Sequence, residues 1–223
     1  MKNGTINDSN DSIRVIAVEG CAGVGKTTLV RAYSKRHPEI KSVECVPAVY
    51  LVDMCLMMNA KFRASPTGRM LVNVGRMATE FRKVAMPLTQ RTLSDQSIWS
   101  VVAGRYARNP RCLNRLLAAV DALRADLVLP DCVVVLKGSY ETCLSRLAGK
   151  GCETGNADMR RIFGREYKMY DALKRRGYEV RFISTDGKTP DEVLSEFETL
   201  TTWWRNGRAN VNAEFDLVCK QSK

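Results

Sequence analysis

Short apolar runs alternate along this chain with stripes of apolar residues at helical spacing. Ile13 to Val18 is a mostly β-branched run that closes on Glu19, as expected of a buried strand. Thr27 to Arg36 predicts a helix that must stop near His37, because Pro38 disfavours helical geometry in the residue before it. Ser42 to Pro47 is a second strand-like segment carrying one acid, Glu44. Leu51, Val52, Met54, Leu56, Met57 and Met58 predict a largely buried helix over Val49 to Phe62, and Met70, Val74, Met77 and Phe81 mark another beyond the break at Arg63 to Gly68. Val84 to Leu88 predicts a strand whose exit is the polar stretch Gln90 to Trp99. Leu113, Leu116, Leu117, Val120 and Leu123 line one side of a helix, and Cys132 to Leu136 is a continuous apolar strand of the doubly covered kind. Ser139 is placed to cap a helix with Glu141 and Thr142 in its first turn. Tyr178 to Ile183 is the last strand, followed by a helix from Asp191 that turns Val193, Leu194, Phe197, Leu200 and Trp204 inward. Strands alternating with helices in this way predict an α/β fold around a parallel sheet.

The chain of 223 residues suits one such domain, expected over residues 13–205, with a polar, flexible leader at 1–12 and a polar tail at 206–223. No apolar run approaches the ~18–20 residues of a membrane span. The leader has neither the apolar segment of a secretory signal nor the arginines of a transit peptide, so the expected location is intracellular, in the cytoplasm or in a host's cytoplasm or nucleus. The 8 cysteines form no C-x-x-C pair and read as free thiols in a reducing compartment. Cys132 and Cys143 fall in apolar surroundings and read as core, whereas Cys21 is a candidate for oxidation. The formal net charge of +11 raises the question of nucleic acid. Its basic residues are spread along helices and tail without a dense block or interleaved aromatics, which favours a small-molecule substrate.

The candidate chemistry begins at Glu19-Gly20-Cys21-Ala22-Gly23-Val24-Gly25-Lys26-Thr27-Thr28, which fits G-x-x-x-x-G-K-[ST]. The glycines let successive backbone N–H groups turn toward one anion, Lys26 reaches the outer phosphates, and the Thr27 hydroxyl can take a place on Mg²⁺. The helix opening at Thr28 adds its positive end. The site residues expected to bind nucleotide are thus Gly20, Cys21, Ala22, Gly23, Val24, Gly25, Lys26, Thr27 and Thr28.

Further candidates are judged by whether they reach this loop. Glu44, near the carboxyl end of the second strand, is a candidate general base. Arg91, Ser94 and Asp95, at the expected exit of the next strand, could handle a phosphate or a sugar hydroxyl. Ala148 to Asn156 is glycine-rich and predicts a mobile lid at about 148–157, flanked by Arg146, Lys150, Arg160, Arg161 and Arg165.

Taken together, these stretches resemble the deoxynucleoside kinase and thymidylate kinase group of P-loop kinases. Glu19 to Thr28 looks like that group's loop, Arg91 to Trp99 resembles its Glu-Arg-Ser or Asp-Arg segment, and Pro130-Asp131-Cys132 through Glu141-Thr142-Cys143-Leu144-Ser145-Arg146 is similar to its strand and helix leading to the lid. The resemblance implies a five-stranded parallel sheet flanked by helices, with ATP and Mg²⁺ as cofactors. It implies transfer of the γ-phosphate to a nucleoside 5′-hydroxyl, with thymidine or another deoxypyrimidine as acceptor and dTMP as the alternative. It assigns Lys26 and Thr27 to phosphate and Mg²⁺, Glu44 to the hydroxyl proton, Arg91 to the reacting oxygen, and Arg146 and Lys150 to the lid; a homodimer stays open. Gln90 stands where the group has an acid, and Asp95 is the nearest replacement. A GTP switch is disfavoured, since neither Asn-Lys-x-Asp nor Asp-x-x-G occurs. A nucleic-acid-binding ATPase is the remote alternative.

Overall fold

The computed structural model describes residues 15–43, 91–122, 129–149 and 157–206. Five parallel strands form one sheet: β1 (Val15–Glu19), β2 (Lys41–Val43), β3 (Thr92–Asp95), β4 (Cys132–Lys137) and β5 (Val180–Ser184), in the order β2-β3-β1-β4-β5. β1 lies at the centre with every residue buried, pairing Val15 with Thr92 on one side and Ile16 with Cys132 on the other. The expected parallel sheet of five strands is therefore present.

Six helices cover it among the described residues: α1 (Lys26–Arg36), α2 (Ile98–Arg108), α3 (Leu113–Ala122), α4 (Tyr140–Ala148), α5 (Ala157–Arg175) and α6 (Pro190–Asn206). Strand periodicity divides the core in two. Cys132, Val134 and Leu136 of β4 join Leu29, Val30 and Tyr33 of α1 and Leu194, Phe197 and Trp204 of α6. Val133 and Val135 face the other way, onto Trp99 and Val102 of α2, Leu116 of α3, and Met169 and Leu173 of α5. β4 is thus apolar at every buried position because each face meets a helical layer. None of the described helices is long and apolar enough to cross a membrane.

Local signals act as expected at several points. His37 is the C-cap of α1, its N–H bonded to Tyr33 O and its ring 3.1 Å from Glu198 Oε1. Ser139 caps α4 by accepting from Thr142 N at 3.2 Å. Two expectations change. The strand that pairs with β1 is Thr92–Asp95, inside the stretch read as an exit; the expected strand at Val84 to Leu88 lies outside the described residues. Its polar side chains are tolerated in a central strand because they are bonded: Ser94 Oγ donates to Gln96 O, and Asp95 accepts from Thr27. Directly after it comes α2, unforeseen in the sequence, capped by Ser97, whose hydroxyl accepts from Trp99 N.

Candidate active site

The loop from Gly20 to Gly25 leaves the carboxyl end of the central strand and runs into α1, the position in which an open α/β sheet binds its ligands. Its shape is enforced by close packing. Gly20 has φ +131°, and a Cβ there would come within 2.4 Å of Leu136 O; Gly23 has φ +79°, and a Cβ there would come within 2.4 Å of Cys143 O. Any side chain at either place would collide with backbone, so the glycines fit the loop between β4 and α4. Because α1 begins at Lys26, the first-turn amides of Lys26, Thr27 and Thr28 have no acceptor four residues back and face the loop's concavity as donors for an anion.

Lys26 is buried, and its ammonium donates to Gly20 O at 2.8 Å and Cys21 O at 2.9 Å. The loop's own carbonyls thus hold the cation inside the concavity. Thr27 Oγ1 donates to Asp95 Oδ2 at 2.5 Å, which places a hydroxyl and a carboxylate together between α1 and β3. Hard oxygen donors of this kind suit Mg²⁺, which is usually held by one or two protein oxygens together with nucleotide phosphates. No group of three or more His, Cys, Asp and Glu side chains that could hold a metal alone is present among the described residues.

Beneath the loop lies a carboxylate that the sequence reading passed over. Glu19 is fully buried and accepts from Ser97 N at 2.7 Å, Ser97 Oγ at 2.6 Å, Tyr170 OH at 3.1 Å, and Ser100 Oγ. Burial pushes its carboxyl above the ordinary range, against the pull of those donors and of Lys26. It ties the end of β1 to the start of α2 and to α5. An acid closing an apolar strand was the available signal.

Gln96, between Asp95 and Ser97, has φ 73°, making it the single non-glycine with positive φ among the described residues. Its N–H donates to Val18 O at 3.0 Å, and its carbonyl accepts from Ser94 Oγ. The segment Asp95-Gln96-Ser97, at the carboxyl end of β3, occupies the place expected of Arg91 and its neighbours.

The backbone of Arg91 lies at the other end of β3. It precedes β3, and its carbonyl accepts from Lys41 N at 3.0 Å, at the amino edge of the sheet where Thr92 is level with Val15. The strand it was expected to follow is the strand it introduces. Glu44, Gln90 and Lys150 lie outside the described residues, as does most of the expected lid.

Arg146, in the last turn of α4, donates to Val24 O at 3.2 Å and to Thr185 Oγ1 and O at 3.4 Å. It walls a cleft of about 480 Å³ that runs from Gly23, Val24 and Gly25 past Thr28. Leu29, Leu136, Pro190 and Val193 give the cleft an apolar lining, while Thr185 and Lys188 supply polar groups. A flat apolar ligand joined to the phosphates would fit here, with the planar guanidinium against it. The sequence had offered Arg146 as a lid cation and had not signalled Thr185 or Lys188. Cys21 is also corrected: it is buried, its thiol donates to Phe163 O at 3.5 Å, and burial pushes its pKa well up, leaving little thiolate to oxidise.

The same arrangement of sheet, loop and helices occurs in solved kinases. A thymidylate kinase from Candida albicans superposes with a TM-score of 0.65 at 19% identity, over 87% of this chain and 93% of that one. A deoxyadenosine kinase from M. mycoides, solved with the product dCMP and a flexible dCDP bound, gives a TM-score of 0.60 at 15% identity, over 84% and 98%. The fold is that of the P-loop kinases. No protein-family model matches the chain, and no curated protein matches it in sequence. Both a nucleotide kinase and a nucleoside kinase share this fold, so the likeness does not rank thymidine above other acceptors.

Proposed function

We propose that this protein is an ATP-dependent kinase that transfers the γ-phosphate to a deoxynucleoside or a deoxynucleoside monophosphate, with thymidine and dTMP as the first acceptors to try. The observation that carries this reading is the meeting of Lys26, Thr27 and Asp95 at the carboxyl end of the sheet, beside a cleft of the size and lining of a nucleobase. Resemblance in fold to a thymidylate kinase and a deoxyadenosine kinase supports the acceptor class.

In this reading ATP lies with its base in the cleft beside Arg146 and its phosphates in the loop. Lys26 leaves the Gly20 and Cys21 carbonyls for the outer phosphates, and Thr27 with Asp95 would hold Mg²⁺, which would supply neutralisation of phosphate charge. The acceptor oxygen forms its bond to the γ-phosphorus while the bond to the β–γ bridging oxygen breaks, giving ADP. The acceptor proton, where there is one, goes to a carboxylate; Glu44, the residue following Val43 at the carboxyl end of β2, is the proposed base. Positioning and charge neutralisation supply most of the barrier reduction in such transfers.

The test offers thymidine, deoxycytidine and dTMP in parallel with labelled ATP. Label should pass to at least one of them, with one ADP formed per transfer. Transfer to none, with ATP hydrolysis stimulated by single-stranded DNA, would replace this reading with a nucleic-acid-binding ATPase.

A further inference from the structure

On the face of the sheet opposite α1 and α6, one face of α2 forms a groove of about 390 Å³ lined by Ser100, Val101, Gly104, Arg105 and Arg108. Two observations tie it to the loop. Ser100 donates to Glu19, the residue on which the loop begins, and Arg108 also borders a neighbouring cavity of about 220 Å³ with Cys21, Ala22 and Glu166. The groove therefore adjoins the root of the loop.

Its make-up indicates the ligand. Gly104 sits in the interior of a helix, where glycine is less favourable than alanine. Among the described residues, and leaving out the helix's own backbone, the atom near a Cβ built at Gly104 is Arg108 Nη1 at 3.4 Å, so this packing does not forbid a side chain there. The glycine instead leaves the floor of the groove open and lets a ligand approach the helix backbone. Arg108 is laid across that floor by a hydrogen bond from Nη1 to Gly104 O at 2.8 Å, which leaves the rest of its donor fork for another partner. No ion pair holds Arg108 among the described residues. Arg105 lines the same groove one turn earlier, and Arg165 adds a third cation where it donates to Ala107 O at 3.3 Å. Glu166 is the carboxylate among the residues lining the adjoining cavity. A neutral nucleoside offers guanidinium groups little, whereas a phosphate matches their planar fork in charge and shape.

We infer that this groove is the acceptor site and that its acceptor is a nucleoside 5′-monophosphate, held through its phosphate by Arg105 and Arg108. This rests on the kinase reading above and decides between its two acceptor classes.

Binding without ATP tests it. Calorimetry compares dTMP with thymidine and dCMP with deoxycytidine, so that base preference cancels, on wild type, Arg108→Gln and the Arg105→Gln/Arg108→Gln pair, with thermal melting as the control for folding. Wild type should bind at least one monophosphate roughly tenfold or more above its nucleoside, and the pair of substitutions should erase that preference while leaving nucleoside affinity within about twofold. Equal binding of monophosphate and nucleoside by wild type overturns the inference, as does a preference that survives in the folded double variant. Should the double variant not fold, Arg108→Gln alone should cut the preference, and Gly104→Leu, which fills the groove, should weaken both ligands; unchanged binding in both overturns it equally. Turnover separates the two readings. Transfer to thymidine with no monophosphate preference leaves the kinase and removes this site, whereas arginine-dependent monophosphate binding with no transfer to any acceptor removes the kinase and leaves the site.

Discussion

The Thr27 hydroxyl donates to Oδ2 of Asp95 across 2.5 Å, joining the first turn of α1 to the last residue of β3. Two oxygens fixed together by the fold are a better cation site than either alone. Asp95→Asn keeps the shape and removes the charge. The Mg²⁺ concentration for half-maximal turnover should rise about 10- to 100-fold, with the melting temperature little changed. An unaltered Mg²⁺ dependence would move the metal away from Asp95.

Lys26 is held by two loop carbonyls, so its removal should disturb the fold modestly and the chemistry severely. Lys26→Ala should lower turnover at least about 10²-fold, the scale for losing one preorganised charge-stabilising donor. Circular dichroism and a melting curve report whether the protein remains folded. Turnover at the wild-type rate would contradict the assignment of the loop.

Glu19 gives a prediction in pH. Its folded carboxyl is raised above the ordinary 4.5 by burial. An acid shifted upward binds its proton more tightly in the fold, so its contribution to stability is complete below about 4.5 and is lost as pH rises through the raised value. Glu19→Gln has no such dependence. Melting temperatures at about pH 5 and pH 8 should show the variant gaining on wild type as pH rises. At the lower pH it should already be weaker by about 1–3 kcal/mol, because an amide nitrogen among Ser97, Ser100 and Tyr170 leaves one buried donor unmatched.

Arg146 bridges Val24 and Thr185 at the wall of the base cleft. Arg146→Ala should raise KM for ATP on the order of tenfold, as expected from losing a guanidinium against an aromatic ring, while acceptor KM stays unchanged. An effect confined to kcat would place Arg146 at the transferred phosphoryl instead.

Much of this architecture could be read from the chain because its signals are local. The loop motif, the β-branched run of β1, the apolar run of β4 and the Ser139 cap each declare themselves within a few residues. β3 does not, since Thr92, Ser94 and Asp95 look like a turn until their partners are known: Asp95 accepts from Thr27, far away in sequence, and Ser94 donates to Gln96 O. With that strand unread, Arg91 was not seen to precede it nor Asp95 to close it, and Gln96 went unnoticed. α2 was concealed by the same error, although Ser97 before Ile98 and Trp99 was a usable cap signal. The tertiary partners of Glu19 and Arg146 are equally non-local. Sequence could name these side chains without saying what they touch.

The central position of β1 also orders events in time. Its neighbours, β3 and β4, arrive only with residues 92–95 and 132–137, and Val15 N–H finds its acceptor on Asp131 Oδ2 at 2.8 Å. A chain emerging from the ribosome holds a complete loop motif long before it holds the two strands that flank the loop's root. Among the described residues no hairpin pairs adjacent strands to shorten the wait, because every pairing there is parallel. Nucleotide binding should therefore switch on late in synthesis, and a truncated chain ending before Cys132 should carry the motif without the site.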